Sequence, residues 1–181
     1  DGICYRTYPG THPEKGAYFT RGTSHDEYAR YTEDGNINAE TLMRLMRKFR
    51  TASELVPPPI IEINGEDSCG IIYYGSSKPA VLEAKDILKT KDINVDLMHI
   101  RSFPFNLDVW EFIANHDRIY VVEQNRDSQM RTLIMAEGGI SAEILRPLVH
   151  FTGDPIEASY IVNKISEREV NYKSHKNIKE R

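Results

Sequence analysis

Residues 69–75 read CGIIYYG. Between the two glycines no polar side chain interrupts isoleucine and tyrosine. The run is too short for a helix and lacks the alternation of a strand with one wetted face. It suits a strand buried on both sides, the situation of a central strand in a parallel sheet. Working outward from it, helix and strand patterns alternate. Ser76 or Ser77 can cap a helix that has Pro79 in its first turn and Val81, Ala84 and Leu88 on one face. Residues 95–100 read as a second central strand, and Asn106 caps a helix carrying Val109, Trp110, Phe112 and Ile113. RIYVVE (118–123) is a third buried strand, followed by a helix over 129–137 that stops at Gly138-Gly139. Residues 148–151 read as a last strand, placed at an edge by Pro147, and a closing helix starts over 157–164. Upstream, Ile60, Ile61 and Ile63 mark a short antiparallel edge strand, and Asn64-Gly65 is the pair a tight hairpin turn prefers. The alternation predicts an α/β fold: a three-layer α/β/α domain with a mostly parallel sheet of about five strands.

The triplet Pro57-Pro58-Pro59 forbids helix and imposes an extended link, so it marks a boundary. Before it, Asn38 is the expected N-cap of a helix with Leu42, Leu45, Met46 and Phe49 at helical spacing. Arg44, Arg47, Lys48 and Arg50 crowd its later turns, where cations suit the helix dipole. Residues 1–36 show no sustained period. Gly2, Gly10, Gly16, Gly22 and Gly35 punctuate them, with Pro9, Pro13 and many tyrosines and threonines. They read as ordered loops whose core partner lies outside this sequence.

Composition narrows the function. The chain has 181 residues, 40% hydrophobic and 28% charged, and a net charge of −4. No apolar run approaches the ~20 residues of a membrane span, and no basic-then-apolar leader is present. Residues 163–181 carry six Lys/Arg and three Glu, leaving the remainder at −7, so no general attraction to nucleic acid or membrane is expected. Cys4 and Cys69 are far apart and the six histidines are scattered, so neither a disulfide framework nor a metal site is expected, and the cytoplasm is the expected compartment.

Ligands of open α/β sheets sit beyond the carboxyl ends of the strands. The loop Gly75-Ser76-Ser77-Lys78 offers hydroxyls, a lysine and a helix N-terminus to an anion, but lacks the glycine spacing of a phosphate loop. Glu123 lies at the mouth of a buried strand. Arg101 is expected to pair with it, and Asn125 and Gln129 place amides nearby. The group is either a polar cluster facing a ligand or another subunit, or an internal brace of the loop. His25, Asp26 and Glu27 are consecutive and cannot converge on one point in strand or helix. His99 and His150, inside strand patterns, are expected to be satisfied structural residues. No complete active site stands out.

Four stretches taken together carry a resemblance: GTHPEKGAYFTRGTSHDEYARYTED (10–34), the basic helix, RSFPF (101–105) and VVEQNRDSQMRTLI (121–134). They resemble the C-terminal part of the alpha chain of 2-oxoacid:ferredoxin oxidoreductases, most closely those of the 2-oxoglutarate type. The resemblance implies that residues 1–36 end a thiamine-enzyme pyrimidine-type domain and 37–58 connect it onward. Residues 59–167 would form a domain like the transketolase C-terminal domain, and 168–181 a mobile charged tail. It places thiamine diphosphate, magnesium and an iron–sulfur cluster in a separate beta subunit, with coenzyme A as acyl acceptor and ferredoxin as electron acceptor. None of these is expected to be bound by this chain. The family's substrate-contacting arginine falls outside the sequence, so no catalytic residue carries over. His25, Asp26, Glu27, Glu123, Asn125 and Gln129 match family-typical positions with packing or interface roles. Two other readings remain: a free-standing flavodoxin-like module binding a nucleotide or anion, and an interaction domain unrelated to thiamine enzymes.

Overall fold

The computed structural model describes residues 1–16, 24–65 and 69–172 in full, and the backbone of 173–179. The chain divides into two units, Asp1–Val56 and Pro57–Arg181.

The first unit is built on helix α1 (Gly35–Leu55). Its N-cap is Asp34, not Asn38: the Asp34 carboxylate accepts from Asn36 N at 2.8 Å and Ile37 N at 3.4 Å. A free carboxylate ahead of Gly35-Asn36 starts the helix early, although those two residues are poor helix formers. Asn38, already helical, accepts from the Ser24 hydroxyl instead. At the other end Val56 turns extended ahead of the prolines. Gly2 sits at φ +76°, and a Cβ there would lie 2.5 Å from Arg44 O and Lys48 N, so only glycine lets the chain run this close to α1. Arg44 donates to Gly2 O at 3.0 Å and Thr51 to Asp1 O at 2.7 Å. No residue of α1 is buried, and Leu42, Met43, Met46 and Phe49 are each more than half exposed.

The second unit holds strands β1 (Ile60–Glu62), β2 (Cys69–Tyr74), β3 (Val95–Ile100), β4 (Ile119–Glu123) and β5 (Leu145–Val149) in the order β1-β3-β2-β4-β5. All pairings are parallel except β1–β3. Helices α2 (Lys78–Lys89), α3 (Leu107–Ala114), α4 (Gln129–Gly138) and α5 (Ala158–Lys179) complete it. The path steps from β2 to β3, then back across β2 to β4 and on to β5. Right-handed crossovers therefore place α2 on one face and α3 and α4 on the other. One core joins α2 and α5 to Ile71, Tyr73, Leu97, Tyr120 and Val122. The other joins α3 and α4 to Ile72, Met98, Ile119 and Val121. The expected three-layer sheet is present, and the strand over 95–100 begins and ends where its pattern does.

Several expectations change. Asn64-Gly65 makes no hairpin, because β1 pairs with β3 and not with β2. Asn64 instead fastens the edge, its N–H donating to Asp96 Oδ1 at 2.7 Å and its amide to Val95 O at 2.8 Å. The last strand starts at Leu145, earlier than its apolar run, because backbone pairing with Ile119–Glu123 carries it through Arg146 and Pro147. The segment from 168, expected to be a mobile tail, belongs to α5, and Glu169 within it is buried. Its carboxylate accepts from Arg118 Nε at 2.9 Å and from the Tyr120 hydroxyl at 2.8 Å, and Arg118 is itself buried. His99 stacks on Tyr73 with centroids 4.9 Å apart, yet its buried Nδ1 has no partner. Burial first, then Lys78 and Arg101, hold its pKa below the usual histidine value. His150 lies one residue past β5, with Nε2 3.0 Å from Asp154 O and 3.1 Å from Thr152 Oγ1. The side chain of His116 is buried, with Nδ1 2.7 Å from Phe112 O and Nε2 3.2 Å from Asp96 Oδ2.

Two stability predictions follow from these placements. Glu169→Ala removes the buried partner of the Arg118 guanidinium and leaves it the exposed Asp117. It is expected to cost about 3–5 kcal/mol, lowering the thermal midpoint by roughly 10 °C. A midpoint within a degree or two of the parent would show that the pair carries no stability. Cys69 is wholly buried, and burial above all, with the Glu169 charge, pushes its thiol up to about 12. Cys4 is exposed. A colorimetric thiol reagent near neutral pH is expected to modify Cys4 at once and Cys69 only after denaturation, and rapid reaction of both would contradict this packing.

Candidate functional site

Among the strand ends, the β2/β4 pair is the topological switch point. α2 leaves β2 toward one face and α4 leaves β4 toward the other, which opens a crevice between the two loops. Gly75, at φ +57°, turns the chain into a short 3-10 segment, Gly75–Ser77, before α2. Ser77 occupies the N-cap position of α2 but makes no side-chain cap bond. The Gln124 amide fills this loop from β4's side, donating to Ser76 Oγ at 2.9 Å and Ser77 Oγ at 3.3 Å. Its carbonyl accepts from Ile156 N at 3.3 Å. The oxygens of both loop hydroxyls thus accept from a neighbouring side chain.

Glu123 is completely buried at the end of β4. Its oxygens accept from Met130 N at 2.7 Å, Arg131 N at 2.9 Å and Asn125 Nδ2 at 2.8 Å. Asn125 Oδ1 accepts from Asp127 N at 3.1 Å and Gln129 N at 3.2 Å, and Ser128 O takes Thr132 N at 2.9 Å. The four amides that open α4 are therefore all satisfied, and a carboxylate sits at the positive end of the helix dipole. Ser128, left-handed at φ 50°, swings the helix start over Glu123. A fully buried carboxylate that accepts three N–H bonds is a cap and a brace, withdrawn from solvent. The Tyr74 hydroxyl lies 3.4 Å from the Asn125 amide, and burial, then the Glu123 charge, raises its pKa.

Arg101 does not pair with Glu123. β2 separates their strands, and Arg101 Nε donates to Pro58 O at 2.8 Å while Ser102 Oγ donates to Pro57 O at 2.6 Å. Gln129 joins the cluster through its backbone amide alone, and the residue is exposed. In the first unit, His25 bridges to Tyr31, its Nδ1 2.9 Å from Asp26 O. Asp26 Oδ1 accepts from Tyr28 N and Arg30 N, each at 2.9 Å, which closes a tight loop, and Glu27 is exposed. The three do not converge. Arg21–Thr23 of the same stretch lie outside the described residues.

Sequence reading missed Gln124, the residue that links both loops, and the buried network of Arg118, Tyr120 and Glu169. The available signal for the latter was an arginine and a tyrosine inside an otherwise apolar strand, each of which needs a polar partner when buried. Among the described residues no group of three or more His, Cys, Asp or Glu is placed to hold a metal ion. With one thiol exposed and the other buried, the donor set does not fit an iron–sulfur cluster.

The fold and crevice define an open, mostly parallel α/β domain whose switch-point loops are braced from within. No model of a known protein family matches the chain. The alpha subunit of 2-oxoacid:ferredoxin oxidoreductase 2 from Aeropyrum pernix is 28% identical over 176 residues, 92% of this chain and 26% of that protein. The corresponding alpha subunit from Saccharolobus solfataricus is 27% identical over 124 residues, 66% of this chain and 20% of that protein. Among solved structures, 2-oxoglutarate:ferredoxin oxidoreductase from Magnetococcus marinus, with 2-oxoglutarate, coenzyme A and succinyl-CoA bound, superposes with a TM-score of 0.77. The identity there is 23%, over 92% of this chain and 29% of that one. The chain is a homologue of the alpha subunits of 2-oxoacid:ferredoxin oxidoreductases. It spans about a quarter of the length of the curated relatives it matches.

If Glu123 is a cap, Glu123→Ala should cost about 2–4 kcal/mol, since it strands two helix amides in a buried site. Hydrogen exchange at Met130 and Arg131 should rise with it. Arg101→Ala, which leaves the cap intact, should change stability by about 1 kcal/mol or less. Equal effects from the two variants would restore a Glu123–Arg101 partnership.

Proposed function

We propose that the chain is the C-terminal portion of the alpha subunit of a 2-oxoacid:ferredoxin oxidoreductase, with 2-oxoglutarate as the substrate, and that it organises subunits while the chemistry occurs elsewhere. The observation that carries this reading is the extent of the match, which runs over 92% of the chain and so includes both units. The whole enzyme would oxidatively decarboxylate the 2-oxoacid, deliver the acyl group to coenzyme A and pass electrons to ferredoxin. Thiamine diphosphate supplies the carbanion chemistry when bound. It would sit with magnesium and the iron–sulfur cluster in the beta subunit, in keeping with the donor-poor described residues of this chain.

On this reading residues 1–36 close a pyrimidine-type domain, α1 is the connection, and the unit from Pro57 onward is the transketolase C-terminal-like domain. The exposed Leu42, Met43, Met46 and Phe49 on α1 fit a helix that packs against the remainder of a larger alpha subunit and its beta partner. The saturated state of Glu123 and Gln124 fits a domain whose switch-point loops are structural. No helix among the described residues is long and apolar enough to cross a membrane, and a cytoplasmic enzyme is proposed. The rival nucleotide-binding module is disfavoured because its loop lacks the glycine spacing of a phosphate loop.

The purified chain, given 2-oxoglutarate, coenzyme A, thiamine diphosphate, magnesium and a viologen acceptor, is expected to reduce no acceptor. Co-expressed with the beta subunit and the rest of the alpha chain, it is expected to co-purify with them in an active complex. Turnover by the chain alone, or failure to assemble, would sink the proposal.

A further inference from the structure

At the opposite end of the sheet from the crevice, near the amino ends of β4 and β5, lies an open surface pocket of about 350 Å³ whose lining includes Arg146, Arg168, Asn171 and Tyr172. Two arginines line it, and a third, Arg118, lies behind Tyr172 with its guanidinium 4.3 Å from that ring's centroid; their charges are not balanced alike. Arg118 is committed to Glu169 at 2.9 Å and Asp117 at 2.8 Å. Arg146 and Arg168 have no salt bridge among the described residues. Arg146 donates to the Tyr120 hydroxyl at 3.4 Å, and Arg168 to Pro147 O at 2.9 Å. Both guanidiniums lie 5.8 Å from the centroid of the Tyr120 ring, and that of Arg146 lies 5.6 Å from the Tyr172 ring. Aromatic faces hold the two cations in place, and among the described residues no carboxylate pairs with either. The one buried carboxylate at hand, Glu169, spends an oxygen on Arg118 and the other on Tyr120.

Two half-buried cations on one pocket repel unless an anion sits between them, and each retains unused N–H donors in a planar fork. Forked donors from two directions match the tetrahedral oxygens of a phosphate, which can accept from both at once. We propose that this pocket binds a phosphate group, held by Arg146 and Arg168, with Tyr172 as one wall. The site is independent of the switch-point crevice and of the family reading.

The test is calorimetric titration of the full chain with inorganic phosphate and with adenosine monophosphate at constant ionic strength. Saturable binding is expected, weakened tenfold or more in both Arg146→Gln and Arg168→Gln, a loss of about 1.4 kcal/mol. Arg146→Lys, which keeps the charge and loses the fork, should fall between parent and Gln variant. Arg126→Gln, at an exposed arginine paired with Asp127, should bind like the parent. Thermal midpoints verify that each variant folds. Comparable affinity for the two ligands supports a free-phosphate site, and tighter binding of the nucleotide supports a phosphorylated organic ligand. Absence of saturable binding would overturn the proposal, as would binding unchanged in both glutamine variants. So would binding of an acidic peptide alone, which would make the patch a protein-facing one.

Discussion

The central pair β2–β4 is covered by protein on both faces, and that single constraint shapes the second unit. Every side chain of these strands must be apolar or fully bonded, because water reaches neither face. Alternation along β2 sends Ile71 and Tyr73 to one core and Ile72 to the other. Along β4 it sends Tyr120 and Val122 one way and Ile119 and Val121 the other. Two cores require helices on both faces, and parallel strands require crossovers long enough to supply them. Each side chain fully withdrawn from water contributes about 1.5–3 kcal/mol, so the choice of partner face is strongly enforced at every position of the pair.

Polar residues survive in β4 only where another element consumes them. At its carboxyl end Glu123 takes the first amides of α4. At its amino end Arg118, with Tyr120, holds Glu169 of α5. α4 and α5 lie on opposite faces of the sheet. A five-residue strand is therefore fastened at one end to one layer and at the other end to the opposite layer. Hydrophobic burial by itself would let the helices slide along their grooves, whereas two directional, charge-assisted contacts fix their register. This explains why such ionic groups sit in a core that could be entirely apolar. An apolar replacement could match the stability, though not the registry.

Much of the sheet was legible in the sequence because burial on both faces writes an uninterrupted apolar run. CGIIYYG, residues 95–100 and RIYVVE all became strands close to the expected limits. Legibility failed where long-range partners decide. Asn64-Gly65 carries local hairpin chemistry, but β3, thirty residues on, offers Ile60–Glu62 a better ladder than the adjacent strand does. Arg101 and Glu123 read as neighbours in the sequence of strand ends, and only the crossover order reveals that β2 stands between them. The charged run after residue 167 looks solvated, yet one of its glutamates is buried by an arginine fifty residues away. In the site, Glu123 was recognisable as a carboxylate at the mouth of a buried strand, and Asn125 as an amide beside it. Gln124 was not, since its bonds to Ser76 and Ser77 exist only once β4 lies beside β2.

A fold of this class usually presents its functional groups at the switch point, but fold and function are separable. Here the two loops that would receive a ligand spend their donors and acceptors on one another: Gln124 on Ser76 and Ser77, Asn125 on Glu123, Glu123 on α4. Of these bonds, those of Glu123 lie deepest, and breaking them would leave a buried carboxylate and helix amides unsatisfied. Among the described residues, exposed apolar area is found on α1 at Leu42, Met43 and Met46, and two arginines without a salt bridge lie near the amino ends of β4 and β5. Apolar area seeks a protein surface, and paired guanidiniums seek an anion.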